Sequence, residues 1–263
     1  RNFKPMKIVL CSLNEQEKIA SKIEELFSKI DSTNKSLEYT KLQLELCKQS
    51  LLNAAVSGTI FGNEEKYDQI PLSDVIDSIG QGWSPKCEKI PSLNDEDWAV
   101  ITTTAIQPMK FDDKQNKKLP QNLEPKLKLE LEEDDLLITR AGPRSRVGIT
   151  CLIKKTRRRL LLCDKAYRIR FKKTLVNPKF FEIILNSPKI VIEINGIKTG
   201  TSDSGLNITM KRFSNLIIPL PSIKQQEQIV SQIEQGFSLI ENTQNIVNST
   251  LQTLEIMRMS VLK

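Results

Sequence analysis

Hydrophobic positions along this chain follow two regimes. Near the start, Ile19, Ile23, Leu26, Ile30, Thr33, Leu37, Thr40, Leu44, Cys47, Leu51 and Ala54 recur at alternating steps of four and three. Near the end, Ile229, Ile233, Gly236, Ile240, Thr243, Val247, Thr250, Leu254, Met257 and Val261 keep the same rhythm. A mean step of about 3.5 residues is that of a coiled-coil seam, narrower than the stripe of a globular surface helix. It predicts long helices over residues 14–56 and 223–262. Both have start signals: Ser12 stands three residues before Glu15 and Ser222 three before Gln225, the spacing of a capping box. Ser57-Gly58 is a stop signal for the first, because glycine takes the left-handed conformation that closes a helix. The plainer alternative is two independent amphipathic helices packed on a core.

The two ends are also copies of each other. Residues 3–52 align with 213–262 at a constant offset of 210, and nineteen of the fifty pairs are identical. Thr33 and Thr40 match Thr243 and Thr250, so polar layers that fix register fall at equal places. About forty residues of helix span roughly 60 Å. One helix leads into the middle segment and the other leaves it, so pairing within one chain requires an antiparallel arrangement. The expected architecture is an α+β (mixed) globular domain at one end of a two-helix rod, divided as 1–58, 59–216 and 217–263.

The middle segment changes period. Residues 98–104 read as a strand from their β-branched content, and 136–140 as a strand entering the turn Ala141-Gly142-Pro143. Residues 147–153 and 160–171 read as a strand pair, with the basic run 154–159 at its hairpin tip. Residues 73–79 read as a short helix capped by Ser73 and stopped by Gly80. Asn177-Pro178 opens a helix to about residue 186, and Ser187-Pro188 opens another. A small-residue loop, 199–205, precedes the second repeat.

Composition narrows the chemistry. The formal net charge is +7, a mild lean toward a polyanion partner. The chain contains no histidine, which excludes histidine-based nucleophilic catalysis and removes the usual nitrogen ligand of zinc. Its five cysteines form no C-x-x-C pair and read as small hydrophobes in a reducing cytosol. No metal site and no cofactor are expected: Asp134-Asp135 reads as a strand-initiating pair, and no Gly-rich cofactor loop, Walker A loop or Asn-Pro-Pro-aromatic motif is found. No apolar run approaches a membrane span.

Several motifs carry a resemblance when taken in order. They are Gly82-Trp83-Ser84-Pro85, the run from Asp135 to Gly142 with Val147-Gly148, Gly200-Thr201 with Asn207-Ile208, and Leu220-Pro221-Ser222 before the second repeat. With the repeated helices around them, the chain resembles the specificity subunits of type I restriction-modification systems. Cys11 departs from the pattern, standing where the second copy has Pro221. The resemblance implies a non-catalytic, cytoplasmic subunit that reads one half of a bipartite DNA target. Its expected partners are double-stranded DNA, methyltransferase subunits and a restriction subunit, plus a second copy if this is a natural half-subunit. A full member carries two recognition domains, so the chain reads as the second half with the preceding spacer helix. The helices then act as a ruler, about 18 base pairs long at most.

For contact with DNA the candidates are Lys86, Arg140, Arg144, Arg146, Lys198, Lys211 and Arg212, cations in or beside loops rich in glycine, proline or serine. For the seam they are Ile19, Ile23, Leu26, Ile30, Leu37, Leu44, Leu51, Ile229, Ile233, Ile240, Val247, Leu254 and Val261. Trp83 reads as a loop anchor or a stacking surface, and Arg157 to Arg159 as a solvated tip. The rival classes are a coiled-coil scaffold that binds protein, a nuclease or methyltransferase carried on the rod, and the specificity domain of a related restriction-modification enzyme.

Overall fold

The computed structural model describes residues 10–62 and 66–261. Residues 3–9 of the first repeat, and residue 262 where the second helix was expected to end, lie outside them. In chain order the elements are α1 (Leu13–Ser57), β1 (Asp68–Pro71), β2 (Ile76–Gln81), β3 (Ala99–Ile101), β4 (Ile106–Gln107), β5 (Lys110–Phe111), β6 (Asn116–Lys118), β7 (Leu136–Thr139), β8 (Ala141–Gly142), β9 (Thr150–Leu152), β10 (Leu160–Leu161), β11 (Ala166–Phe171), α2 (Pro178–Leu185), α3 (Pro188–Gly196), β12 (Leu206–Asn207), α4 (Met210–Ser214), β13 (Ile217–Leu220) and α5 (Ile223–Val261). The fold is mixed α+β. Two compact units result: residues 1–48 with 237–263, and residues 49–236.

In the first unit, both long helices follow their sequence signals. The Ser12 amide and hydroxyl donate to the Glu15 carboxylate at 3.0 and 2.7 Å, closing the capping box. Ile30, Ile240 and Val247 are buried, and Ile23, Leu26, Leu37, Leu44, Leu254 and Val261 are half-buried. Ile19 is an exception at 53 % exposed. All four threonines of the polar layers turn inward to their own helix; Thr33 and Thr243 donate to the carbonyls of Lys29 and Leu239, each at 2.8 Å. The repeat extends to contacts. Arg258 lies over the Phe27 ring at 5.6 Å and Lys48 over the Phe237 ring at 5.3 Å. These are equivalent pairs at the offset of 210, with the roles of the two helices exchanged. Asp31 accepts from Arg258 at 2.8 Å.

The second unit is built around the antiparallel sheet β2-β11-β7-β9. Strand β11 shows why it forms. Tyr167, Ile169 and Phe171 alternate with Arg168 and Arg170, so one face is core and the other carries charge. Phe171, Phe181 and Phe180 stack in sequence, with centroids 4.6 and 5.7 Å apart. Asn177 caps α2 by accepting from the Lys179 amide at 3.0 Å, and Pro178 fills the first helical position. A second sheet, β10-β3-β6, supports the loops described below. Gly58 ends α1 at φ 77° as its sequence foretells. Leu51 is half-buried and meets Gly236, whose missing side chain leaves the room; a Cβ there would lie 2.7 Å from Leu51 Cδ1. Ile229 and Ile233 are buried.

Three local expectations are corrected. Residues 73–79 are not a helix: after one 3-10 turn at Leu72–Asp74 the chain enters β2, because pairing with β11 outweighs local propensity. The strand expected over 98–104 stops at Ile101, where a 3-10 turn at Thr103–Ala105 takes over. Residues 147–153 and 160–171 do not form a hairpin. Strands β9 and β11 lie on opposite sides of β7, and β10 joins β3 in parallel, so 154–159 is a crossover between sheets. Two of its three arginines are held: Arg157 donates to the carbonyls of Asn94 and Asp97 at 2.9 and 3.0 Å, and Arg159 reaches the Glu96 carbonyl, while Arg158 is exposed.

Candidate nucleic-acid interface

A cleft of about 300 Å³ opens beside the second sheet, lined among others by Trp83, Ser84, Thr102, Thr103, Lys117 and Lys165. Its wall depends on Gly82. A Cβ there would stand 2.2 Å from the Leu162 carbonyl oxygen, so only glycine lets the backbone run this close to β10. The next residue, Trp83, then donates its amide to Leu162 at 3.0 Å and packs half-buried against the core. Lys126 sits over the indole at 4.7 Å. Trp83 is therefore an anchor that also presents its ring to the cleft.

Strand β6 supplies one of the cleft's cations by simple alternation. Lys118 points one way and pairs with Asp97 at 2.9 Å; this ion pair holds the Asp97 carboxyl below the usual range and raises the Lys118 ammonium. Lys117 points the other way, into the cleft. Lys117, Lys126 and Lys165 were missed from sequence. The period-2 pattern in 116–118 was the available signal for the first; for the other two only the fold brings them to Trp83.

The seven sequence candidates divide by what their side chains already do. Arg140 lies over the Tyr167 ring at 5.3 Å and donates to the carbonyl of Asp164, a residue that lines the same cleft, at 3.1 Å. Arg146 is half-buried and caps the carbonyls of Thr103 and Ile106, the latter at 2.7 Å, so its guanidinium fixes the 103–106 turn. Arg144 is exposed and pairs with Asp203 at 2.8 Å, tying the 143–146 turn to the 199–205 loop. Lys198 donates to the Arg144 carbonyl at 3.1 Å; burial, then the nearby Arg144 charge, lowers its pKa. Lys86 is exposed. Lys211 and Arg212 lie exposed on α4, where Arg212 reaches the Ile197 carbonyl at 3.5 Å. The fold thus gathers Arg144 and Lys198 in one loop cluster and engages Arg140 with Asp164 and Tyr167, while Arg146 looks inward.

Asp135 starts β7 as a structural acid. It is 1 % exposed and accepts from Arg170 Nε at 2.6 Å and from the Glu132 amide at 2.9 Å. The same contact raises the Arg170 pKa, whereas burial lowers that of Arg168. Both carboxylate oxygens are thus engaged within the protein. Among the described residues no group of three or more His, Cys, Asp or Glu is placed to hold a metal ion. No helix among them is long and apolar enough to cross a membrane.

A mixed α+β domain with a cleft lined in part by Trp83, Lys117 and Lys165 stands in the chain between two helices of one repeated sequence. Comparison with known proteins gives the particular family. The chain belongs to the family described as "Type I restriction modification DNA specificity domain", whose model matches residues 64–251. It is 30 % identical to the type I restriction enzyme EcoEI specificity subunit of Escherichia coli, over 83 % of this chain and 38 % of that subunit. It is 26 % identical to the EcoKI specificity subunit of Escherichia coli strain K12, over 99 % of this chain and 57 % of the relative. The chain therefore spans about half or less of these relatives' length. Among solved structures, the HsdS subunit from Thermoanaerobacter tengcongensis superposes with TM-score 0.61 at 18 % identity, covering 96 % of this chain and 58 % of that one. A structure reported for complex assembly and conformational transition of the type I R-M system gives TM-score 0.72 at 18 % identity, covering 96 % and 59 %.

Proposed function

We propose that this chain reads one half of a bipartite DNA sequence within a cytoplasmic type I restriction-modification complex and performs no chemistry itself. The family match over residues 64–251 carries this reading. Residues 59–216 act as the recognition domain, with 1–58 and 217–263 as spacer helices. Methylation and cleavage belong to methyltransferase and restriction subunits, which dock on the helices and the adjoining domain face.

The spacer helices pack antiparallel as a coiled coil. Support comes from the exchanged pairs Arg258 with Phe27 and Lys48 with Phe237, which are what a two-fold relation between repeated segments produces. DNA contact falls to Lys86, Arg144, Lys198, Lys211 and Arg212 for phosphates, and to Arg140 with Lys117 and Lys165 at the cleft for the grooves. Arg146 serves the interface by holding its loop. Electrostatic binding of this kind weakens with salt, because each neutralised phosphate releases counterions.

The test is to assemble the complex with single alanine variants and measure DNA affinity against salt concentration. Lys86→Ala and Lys211→Ala are expected to flatten the slope by about one unit each, for all sequences alike. Arg140→Ala is expected to relax the methylated sequence at one position, at about 1–3 kcal/mol. Unchanged affinity, slope and methylated sequence in all three variants would place the reading surface elsewhere.

A further inference from the structure

Two stretches of the recognition domain are nearly free of acid. Residues 136–163 hold eight lysines and arginines and no Asp or Glu. Residues 194–226 hold four cations and a single acid, Asp203. That lone carboxylate is not left to solvent. It accepts from Arg144 Nε at 2.8 Å, and the Asp203 carbonyl accepts from the Arg144 amide, also at 2.8 Å. One residue of the 199–205 loop thus takes both the backbone and the guanidinium of a candidate DNA contact.

The backbone around this pair is fixed independently of it. Thr199 and Asn207 exchange two backbone hydrogen bonds, at 2.8 and 2.7 Å, across the base of the loop. Leu206 and Asn207 pair with Gly142 and Ala141, joining β12 to β8. Lys198 donates to the Arg144 carbonyl at 3.1 Å from the other side. The ion pair itself is open to exchange. Its side chains are 61 % and 79 % exposed, so water screens the attraction. Only Nε meets the carboxylate; the two terminal nitrogens of Arg144 have no hydrogen-bond partner among the described residues. A phosphate gripped by two parallel N–H groups is a stronger partner than a carboxylate held by one.

We propose that Asp203 is a built-in competitor of the DNA phosphate. It holds Arg144 until a phosphate takes the same guanidinium, so that Arg144 adds to binding only once the backbone of the DNA is seated against this turn. The exchange needs a side-chain rotation and leaves β8 and β12 paired. Loosely associated DNA, whose phosphates stand further off, meets an arginine already neutralised and an acid that repels it. Asp203 therefore makes the domain selective for closely docked DNA at the cost of affinity. A carboxylate that served only to relieve the crowding of Arg144 and Lys198 would add stability and have no bearing on DNA affinity through Arg144. This inference rests on the reading of Arg144 as a phosphate contact.

The test measures affinity for a mixed-sequence DNA duplex against salt concentration, with the assembled complex carrying Asp203→Asn, Arg144→Ala or both. Asp203→Asn keeps an oxygen for the Arg144 Nε–H and removes the charge. It is expected to tighten binding several-fold and to steepen the fall of affinity with salt by about one unit of slope, since the freed guanidinium neutralises a phosphate without leaving an unpaired acid behind. In the Arg144→Ala background the same substitution is expected to tighten binding far less. Unchanged or weaker binding by Asp203→Asn would overturn the proposal. So would equal tightening in both backgrounds, which would make Asp203 a repulsive charge with no hold on Arg144. If Arg144→Ala changes nothing even beside Asp203→Asn, while Lys86→Ala and Lys211→Ala still flatten the slope, the proposal falls and the DNA reading stands. Binding by the unmodified complex that does not weaken with salt would sink both.

Discussion

Replacing Gly82 by alanine tests whether the cleft wall depends on the close approach of two backbones. The added methyl would lie 2.2 Å from the Leu162 oxygen, 2.3 Å from the Cys163 oxygen and 2.4 Å from the Leu162 carbonyl carbon. Ordinary contact begins near 3.4 Å, so the two segments must separate by about 1.2 Å. All three atoms are backbone, so no side chain can rotate away. The separation also breaks the 3.0 Å bond from the Trp83 amide to Leu162. Overpacking of this kind costs about 1–3 kcal/mol and the lost hydrogen bond about 0.5–1.5, together about 1.5–4.5 kcal/mol. Urea unfolding followed by circular dichroism measures it. Gly80→Ala is the control, since nothing lies within 4 Å of its Cβ. DNA affinity of Gly82→Ala is expected to fall as well, because Trp83 and Lys126 move with the wall. Stability within about 0.5 kcal/mol of the control would refute the reasoning.

Two further outcomes follow from buried groups. Burial raises the pKa of Glu182, which accepts from the Leu152 amide at 2.7 Å. A carboxyl raised on folding contributes stability below its unfolded value, near 4.3, and loses it as pH rises through the folded value. Glu182→Gln is therefore expected to gain on the wild type as pH rises above about 4; a constant difference, or the opposite slope, would remove the assignment. Cys11 and Cys47 are exposed, whereas burial pushes the Cys163 thiol up to about 11 and the Cys151 thiol higher still. A disulfide reagent is expected to consume the first two rapidly in the native protein and the last two only on unfolding; rapid native reaction of Cys151 would contradict the fold around β9.

The long helices were legible because the seam, the caps and the glycine stop are local patterns, and printing them twice removed ambiguity. Their finer burial was less so: Cys47 and Met257 stand on the seam by count and are exposed, while Asn34 and Gln244, off it, are half-buried. A 3.6-residue helix drifts against a 3.5-residue count. In the recognition domain, strands with their own alternation, such as β11, were readable. The pairing of distant segments was not: β10 lies beside β3, sixty residues away, and no local signal says so. The same holds for the interface. Gly82-Trp83 announced itself, yet the engagement of Arg146 with two distant carbonyls, and the arrival of Lys126 and Lys165 beside Trp83, depend on tertiary geometry.

The central claim is that the helices measure and the recognition domain reads. Deleting one heptad, 34–40, together with 245–251, the heptad that faces it in the proposed antiparallel pairing, tests it in the assembled complex. Seven residues shorten the rod by about 10 Å, or about three base pairs. Mapping of methylated sites is expected to return the same half-site bases with the gap between them reduced by about three. A gap of unchanged length with intact methylation would contradict the ruler, and changed half-site bases would contradict the separation of reader from ruler.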